Sequence, residues 1–146
     1  MYFASNRPGG EGELDIWISQ KLDDLTWDRP INCGNVINTP YDENSPYYDA
    51  DEDALIFSST GHISMGGSDV FRSTARGGSW TQPVAMPYAF NNVLENTHFI
   101  LNNNAPGFIA SRYDEKEKAR NIYAIVAVNP ADELTRASGT IRLEDG

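Results

Sequence analysis

The sequence predicts an all-β protein in which one antiparallel unit is repeated along the chain. A segment near the start, YFASNRPGGEGELDIWIS, returns about 53 residues later as IFSSTGHISMGGSDVFRS, and a third time as IASRYDEKEKARNIYAIV. Short runs rich in aromatic and branched residues alternate with turn-forming sequences such as RPGG and INTP. No long window carries the apolar period of a helix. Four short strands per unit at this spacing indicate the blades of a β-propeller.

The strands expected in each unit follow from the positions of these runs. Residues 1–5 fall on the second strand of a first blade, which continues to about residue 32 and lacks its first strand. The second blade, about residues 45–85, is complete, with predicted strands at Ser45–Tyr48, Ala54–Ser59, Asp69–Thr74 and Trp80–Ala85. The third, about residues 97–128, has three predicted strands, at Thr97–Leu101, Gly107–Ser111 and Asn121–Ala127. The charged stretch Asp114–Arg120 is predicted to be a solvated hairpin loop and not a helix.

Residues 1–130 are therefore predicted to form about two and a half blades of an incomplete ring, against the roughly four to eight blades of a closed one. We expect the chain to be a fragment of a propeller or to complete its ring with other copies. Residues 131–146, which end in GTIRLEDG, are predicted to be a linker and the first strand of a following domain. A fourth strand of the third blade is the alternative for that last segment. Open blade faces predict poor solubility for the isolated chain.

The charge balance argues against two classes of partner. The chain has 11 Lys and Arg residues against 21 Asp and Glu, which gives a net charge of −10. Binding nucleic acid or docking on an anionic membrane needs clustered basic residues, and the sequence has no such cluster. No apolar run approaches the ~20 residues of a membrane-spanning helix. The single cysteine, Cys33, excludes an internal disulfide, and no signal peptide opens the sequence.

The repeated phrases carry a family resemblance. ASNRPGG and LDIWIS, followed by TWDRPINCG and INTPYDENSP, resemble the WD-repeat-like (TolB-type) β-propeller repeats of bacterial envelope proteins, which are often fused to OmpA-like or carboxypeptidase-regulatory-like domains. The resemblance covers Tyr2 to about Val128. It departs from the family at residues 48–53, where Ser-Pro-Asp-Gly is usual. It implies a non-catalytic scaffold in the periplasm or at the outer membrane, with envelope proteins or peptidoglycan as partners.

An acidic turn gives the clearest candidate for a metal site. The spacing of Asp49, Asp51 and Asp53 matches the opening of an EF-hand calcium loop. Ala54 stands where that loop needs glycine, and Thr60 stands where it needs glutamate. The repeat also places the three aspartates between two strands. We therefore favour a solvated acidic turn over weak calcium binding.

Two tryptophan-containing motifs could mark a sugar-binding site. The sequence STARGGSW, residues 73–80, partly fits the Asp-box of sialidase-type propellers, but Ala75 replaces the aspartate, and that motif only locks a turn. Tryptophan also recurs three residues before proline in two units, as Trp27 before Pro30 and as Trp80 before Pro83. We predict that these tryptophans pack between adjacent sheets and are not stacking platforms for sugars.

Acidic residues recur at two further positions. Asp15, Asp69 and Asn121 each precede a predicted third strand, where a hydrogen bond to the turn is the expected role. The pair Asp42-Glu43 becomes Glu95-Asn96 in the next unit. Because one copy has lost a carboxylate, we predict solvated loop charge here and not acid–base chemistry.

The remaining reactive side chains form no recognisable constellation. His62 and His98 lack the spacing of a zinc site, and Cys33 has no histidine near it in the pattern. The sequence therefore predicts no catalytic, cofactor-binding or metal-binding residue, and no enzyme. The leading expectation is a binding or scaffolding module. The alternatives are a fragment of a glycosidase-like propeller enzyme whose catalytic residues lie outside this chain, and a repeat that assembles from copies.

Overall fold

The computed structural model describes residues 1–88, 90–101, 108–114, 116 and 118–125. Throughout this part of the chain the structure is all-β: the strands pair antiparallel, in three sheets, and no helix forms that could cross a membrane. This confirms the all-β, antiparallel expectation. The predicted linker and strand within residues 131–146 lie outside the described residues.

Each of the three sheets is built from strands that are consecutive in the sequence. The first sheet has the order β1–β2–β3, with β1 at Tyr2–Ser5, β2 at Asp15–Ile18 and β3 at Ile31–Asn32. The second contains β4 (Glu43–Asp49), β5 (Ala54–Ser59), β6 (Asp69–Arg76), β7 (Ser79–Trp80) and β8 (Val84–Ala85). The third contains β9 (Glu95–Leu101), β10 (Phe108–Asp114) and β11 (Ala119–Ile125), with β10 in the middle. Apart from β8, which pairs with β6, strands that are neighbours in a sheet are therefore also neighbours along the chain.

The predicted strand Trp80–Ala85 is wrong as a single element. The structure divides it into β7 and β8, and both pair with the same edge of β6. Thr81, between the two pieces, uses its hydroxyl to accept a hydrogen bond from the Thr74 amide at 3.0 Å. Pro83 follows and has no amide hydrogen to donate to the ladder. The Thr81 amide still donates to the Thr74 carbonyl at 2.9 Å, so the strand is interrupted where the Thr81 hydroxyl takes the place of one backbone acceptor and where Pro83 has no donor.

The charged stretch between β10 and β11 forms a hairpin loop, as expected. The first of these strands ends at Asp114 and the second begins at Ala119. Lys116 and Lys118, between them, are exposed. The high charge keeps this connection in solvent, since buried charges need partners.

The second sheet lies between the other two and buries both of its faces. All six residues of β5 are buried, in a sequence, ALIFSS, with almost no polar alternation, which is typical of a strand covered on both sides. One hydrophobic core joins this sheet to the first sheet and contains Ile16, Ile37, Leu55, Phe57 and Phe71. A second core lies on the opposite face and contains Ile56, Val70, Phe90 and Phe99. The strand alternates its side chains between these two cores.

The same backbone link occurs where consecutive sheets meet. The Glu43 amide, at the start of β4, donates to the Leu14 carbonyl at 2.6 Å. The Asn96 amide, near the start of β9, donates to the Ser68 carbonyl, also at 2.6 Å. In each case the amide lies at the start of a new sheet. The carbonyl belongs to the residue just before β2 or β6, which is the third strand of the preceding unit. The sequence repeat is therefore also a repeat of contacts.

Candidate functional site

Two aspartates that recur in the sequence hold the same kind of turn. Asp15 accepts hydrogen bonds from the Glu11 and Gly12 amides, at 2.7 and 3.2 Å. Asp69 accepts them from the Met65 and Gly66 amides, at 2.6 and 3.3 Å. Both carboxylates are almost fully buried and satisfy backbone donors that would otherwise be unpaired. These are the turn hydrogen bonds that the sequence predicts.

A pair of asparagines plays an equally regular part that the sequence analysis missed. Asn38 accepts from the Ile16 amide at 2.7 Å and donates to the Ile16 carbonyl at 3.0 Å. Asn91 makes the same two bonds to Val70, at 2.8 and 2.9 Å. Each carboxamide therefore pairs like a strand residue with the start of a buried strand, next to the short strand that pairs with the same edge. The repeat itself was the signal that could have found them, since both asparagines occupy one position of the unit.

The structure places the two carboxylates of the Asp42-Glu43 pair in different environments. Asp42 lies in the loop and accepts a hydrogen bond from the Leu14 amide at 3.0 Å. Glu43 is 0% exposed, so the prediction of solvated loop charge is wrong for this residue. The error arose because β4 begins at Glu43, two residues before the predicted strand start, which turns its side chain into the interior.

The Glu43 carboxylate is enclosed by hydrogen-bond donors. It accepts from the Thr39 amide, from the Thr39 hydroxyl and from the Ser59 hydroxyl, each at 2.7 Å. Burial raises the pKa of the Glu43 carboxyl, and the bonds from Ser59 and Thr39 oppose that rise. The carboxylate fastens the loop before β4 to the end of β5. It has no exposed surface with which to contact a substrate.

The aspartates with EF-hand spacing lie in the turn between β4 and β5. The Asp51 amide donates to Asp49 at 3.1 Å, and the Tyr48 hydroxyl donates to Asp53. Asp53 has a φ of 47°, the left-handed conformation in which aspartate is favoured in turns. Their contacts are those of a solvated turn. No group of three or more His, Cys, Asp or Glu side chains is arranged to hold a metal among the residues described.

The two histidines lie apart and in different surroundings. His62 packs against Phe57 and Phe71, with ring centroids 5.7 and 5.2 Å away, and its Nε2 lies 2.9 Å from the Ile37 carbonyl. His98 Nδ1 lies 2.8 Å from the Thr97 hydroxyl. Each ring thus has a structural partner of its own.

The recurring tryptophans differ in their surroundings. Trp80 packs edge-on against Tyr2 of the first sheet, with ring centroids 6.1 Å apart, which confirms packing between sheets for this residue. Trp27 is 46% exposed, and the same prediction is wrong there. The reason is positional: Trp80 faces the first sheet, whereas no described sheet lies against the corresponding face of the first sheet itself.

Among the described residues, an open groove lies between the first sheet and the β6–β7 turn. We call it the Tyr2–Trp80 groove; it encloses about 330 Å³, and its walls include Tyr2, Asn32, Cys33, Asn35, Ser79 and Trp80. That volume is at the lower end of the range for small-molecule sites. None of its lining residues is charged at neutral pH. Burial raises the pKa of Tyr2 and of Cys33, each to about 12, so both groups are neutral there.

The groove can offer aromatic faces and uncharged hydrogen-bonding groups. The rings of Tyr2 and Trp80 meet at an interplanar angle of 69° and form one wall. Asn35 and Ser79 are exposed at the rim. Such a surface suits a neutral polar ligand or a peptide segment. It lacks the ionisable pair that hydrolysis of a glycoside needs.

Comparison with known proteins finds no match to a protein-family model, to a curated protein or to a solved structure.

Proposed function

We propose that the chain is a non-catalytic binding or scaffolding module of a cell-envelope protein, and that its sheets are consecutive blades of an incomplete β-propeller. The observation that carries the proposal is the repetition of the inter-sheet bond, from Glu43 to Leu14 and from Asn96 to Ser68. Stacked antiparallel sheets built from consecutive strands are the architecture of propellers and solenoids, which present surfaces for binding. The proposal assigns the chain to the periplasm or the outer membrane, on its resemblance to TolB-type repeats.

The use of the buried polar groups supports a scaffold. Asp15 and Asp69 hold turns, and Glu43 holds a loop against β5. The Tyr2–Trp80 groove, in contrast, is open and uncharged. Its proposed ligand is therefore a peptide segment of an envelope protein or the glycan or peptide part of peptidoglycan.

The proposal is tested by binding to two defined materials. Purified peptidoglycan sacculi are used for co-sedimentation, and detergent-solubilised envelope proteins for capture on the immobilised chain. Asn35→Arg places a long cation at the rim of the groove, and we expect at least a tenfold loss of affinity, equivalent to about 1.4 kcal/mol. Asn6→Arg is the matched control, because Asn6 is also exposed but does not line the groove.

Two results would overturn the proposal. One is failure of the wild-type chain to bind either material saturably, and the other is equal loss of binding in the two arginine variants. The competing function, part of a glycosidase-like enzyme whose catalytic residues lie outside this chain, gains no support from the Asp42-Glu43 pair, because Glu43 is 0% exposed. Hydrolysis of model glycosides by the wild-type chain would favour that function instead.

A further inference from the structure

The branched residue that follows Asp15, Asp69 or Asn121 marks the same face in all three sheets. Ile16 is 0% exposed in the core shared by the first and second sheets. Val70 is 0% exposed in the core shared by the second and third sheets. Ile122 holds the same position in β11 and is 44% exposed. Among the described residues, Ile122 therefore leaves exposed the position with which the first and second sheets cover their successors, and it identifies the matching face of the third sheet. We call it the covering face.

The opposite face of a sheet receives this apolar residue. In the second sheet that receiving face is formed by Phe57 and Phe71, and the His62 ring packs against both. Ile16 and Ile37 bury this aromatic pair. A cation or polar ring beside two aromatic rings is thus part of the contact surface between sheets.

The first sheet repeats the receiving arrangement with other residues. Phe3 and Trp17 are paired across β1 and β2 as Phe57 and Phe71 are paired across β5 and β6. The Arg7 guanidinium lies over both rings, 4.7 and 5.2 Å from their centroids, where the next unit has His62. The first sheet therefore carries a receiving face of the same design.

A third feature of the receiving face is a tryptophan at its edge. Trp80 contacts Tyr2 of the neighbouring sheet, whereas Trp27, at the same position of the first unit, is 46% exposed. A tryptophan that is half-exposed in one unit and packed against a sheet in the next indicates where a further sheet belongs. No described sheet covers the receiving face of the first sheet, defined by Phe3, Arg7 and Trp27.

We propose that the covering face of one copy of this chain docks on the receiving face of another, so that copies join head to tail by the packing that already joins the sheets within one copy. Ile122 of one copy would pack against Phe3, Arg7 and Trp27, in the place that Ile16 takes over Phe57 and Phe71. Trp17 lies beneath the Arg7 guanidinium and is only 6% exposed, so it supports this surface from below. Because the two faces are different surfaces, the contact is heterologous and leads to a ring or a filament. This inference goes beyond the binding function proposed above, since it concerns neither the groove nor its ligand.

The net charge of −10 on each copy sets the conditions for this assembly. Two such copies repel each other at long range, and salt screens that repulsion. The contact itself is apolar and aromatic apart from the Arg7 guanidinium, which lies over aromatic rings of its own sheet. Assembly should therefore strengthen with ionic strength, which is the reverse of what an ion-paired interface would show.

The test uses one substitution on each face and measures mass by size-exclusion chromatography with light scattering. Trp27→Asp disables the receiving face, and Ile122→Asp disables the covering face. Tyr88→Asp and Ile63→Asp are the matched controls, because Tyr88 and Ile63 are exposed apolar residues that belong to neither face. The wild type and both controls are expected to show a mass that rises with concentration and with salt, and each face variant is expected to be a monomer.

A mixture of the two face variants gives a sharper result. Trp27→Asp keeps an intact covering face and Ile122→Asp keeps an intact receiving face, so one contact can form between them. The mixture is expected to give a dimer and no larger species. Circular dichroism and thermal melting establish that each variant is folded, and Trp27→Ser and Ile122→Thr replace any aspartate variant that is not. A wild type that stays monomeric at its highest soluble concentration and in high salt, or folded face variants that assemble like the wild type, would overturn the inference.

Discussion

Glu43 and Asn96 occupy one position of the repeat, yet one is an acid and the other an amide. Both are 0% exposed, and both backbone amides bind the preceding unit. Asn96 donates to Asp69 at 2.9 Å and to the Leu94 carbonyl at 2.8 Å, whereas Glu43 only accepts. The position therefore requires a buried polar group of about this size. The groups around it decide whether the side chain must donate hydrogen bonds, as Asn96 does, or only accept them, as Glu43 does.

Replacement of Glu43 by glutamine should change how stability depends on pH. Burial raises the pKa of the folded-state carboxyl above its usual value of 4.5, so the folded chain holds this proton more tightly than the unfolded chain. The raised pKa adds to the free energy of unfolding of the wild type. This contribution is complete below pH 4.5 and is lost as pH rises through the folded-state pKa. Glutamine has no such proton. The stability of Glu43→Gln relative to wild type should therefore increase across that interval and then level off.

Urea unfolding at a series of pH values measures this difference. The control is Glu11→Gln, which removes an exposed carboxylate of the same chain. A flat or falling difference for Glu43→Gln would contradict the assignment of Glu43 as a carboxyl whose pKa is raised by burial.

At the scale of the loops, glycine permits the approach of consecutive units. A Cβ atom on Gly66 would lie 2.7 to 2.8 Å from backbone atoms of Asn92 and Val93. Gly12 approaches the Thr39 and Tyr41 carbonyls in the same way at the earlier contact. In both cases the obstacle is backbone, which cannot rotate away. The loop that carries the buried aspartate therefore needs glycine to reach the next unit.

Gly66→Ala should lower the free energy of unfolding by about 1–3 kcal/mol, the usual cost of an overpacked contact. Gly67→Ala is the adjacent control, since its Cβ would meet a side-chain carbon of Glu95 at 3.1 Å, and that side chain can move. Denaturant titration of the two variants gives the comparison. Equal stability of both variants would show that the loop yields more easily than the structure indicates.

The sequence predicts the strands of this chain better than the roles of its loops. Ala54–Ser59 is found with its expected bounds because aromatic and branched residues are continuous there. The strand expected at Trp80–Ala85 is interrupted, since the Thr81 hydroxyl competes for backbone pairing, an interaction that composition does not reveal. The asparagine pairs were missed for a related reason: a side chain that imitates a strand partner acts across more than twenty residues and leaves no local pattern. Neither the Tyr2–Trp80 groove nor the burial of Glu43 could be read from one unit alone, because both depend on how two units meet.

Across the whole molecule, the second sheet supports both hydrophobic cores. Leu55 and Phe57 face the first core, and Ile56, between them, faces the second. Loss of this sheet would expose both cores at once. We therefore expect it to be the part of the described structure that is most resistant to local unfolding.

Hydrogen exchange followed by mass spectrometry should show that the second sheet resists local unfolding more than the first sheet does. Amides of β5 are expected to exchange most slowly, because the strand is paired on both edges and buried on both faces. Amides of β1 should exchange faster, since this strand is at a sheet edge and is only half-buried. Peptides from the exposed β2–β3 loop provide the fast reference. Slower exchange in β1 than in β5 would contradict a structure organised around the second sheet.

The bond from the Glu43 amide to Leu14, and its copy from Asn96 to Ser68, also bears on how such a chain could grow. Each bond joins only neighbouring sheets and is completed within a single sequence period. A duplicated segment of that length would bring its own carbonyl, its own amide and its own glycine. Gene duplication or deletion could therefore add or remove one sheet at a time without redesigning the remaining junctions, and the length of the array becomes a quantity that selection can adjust in whole units.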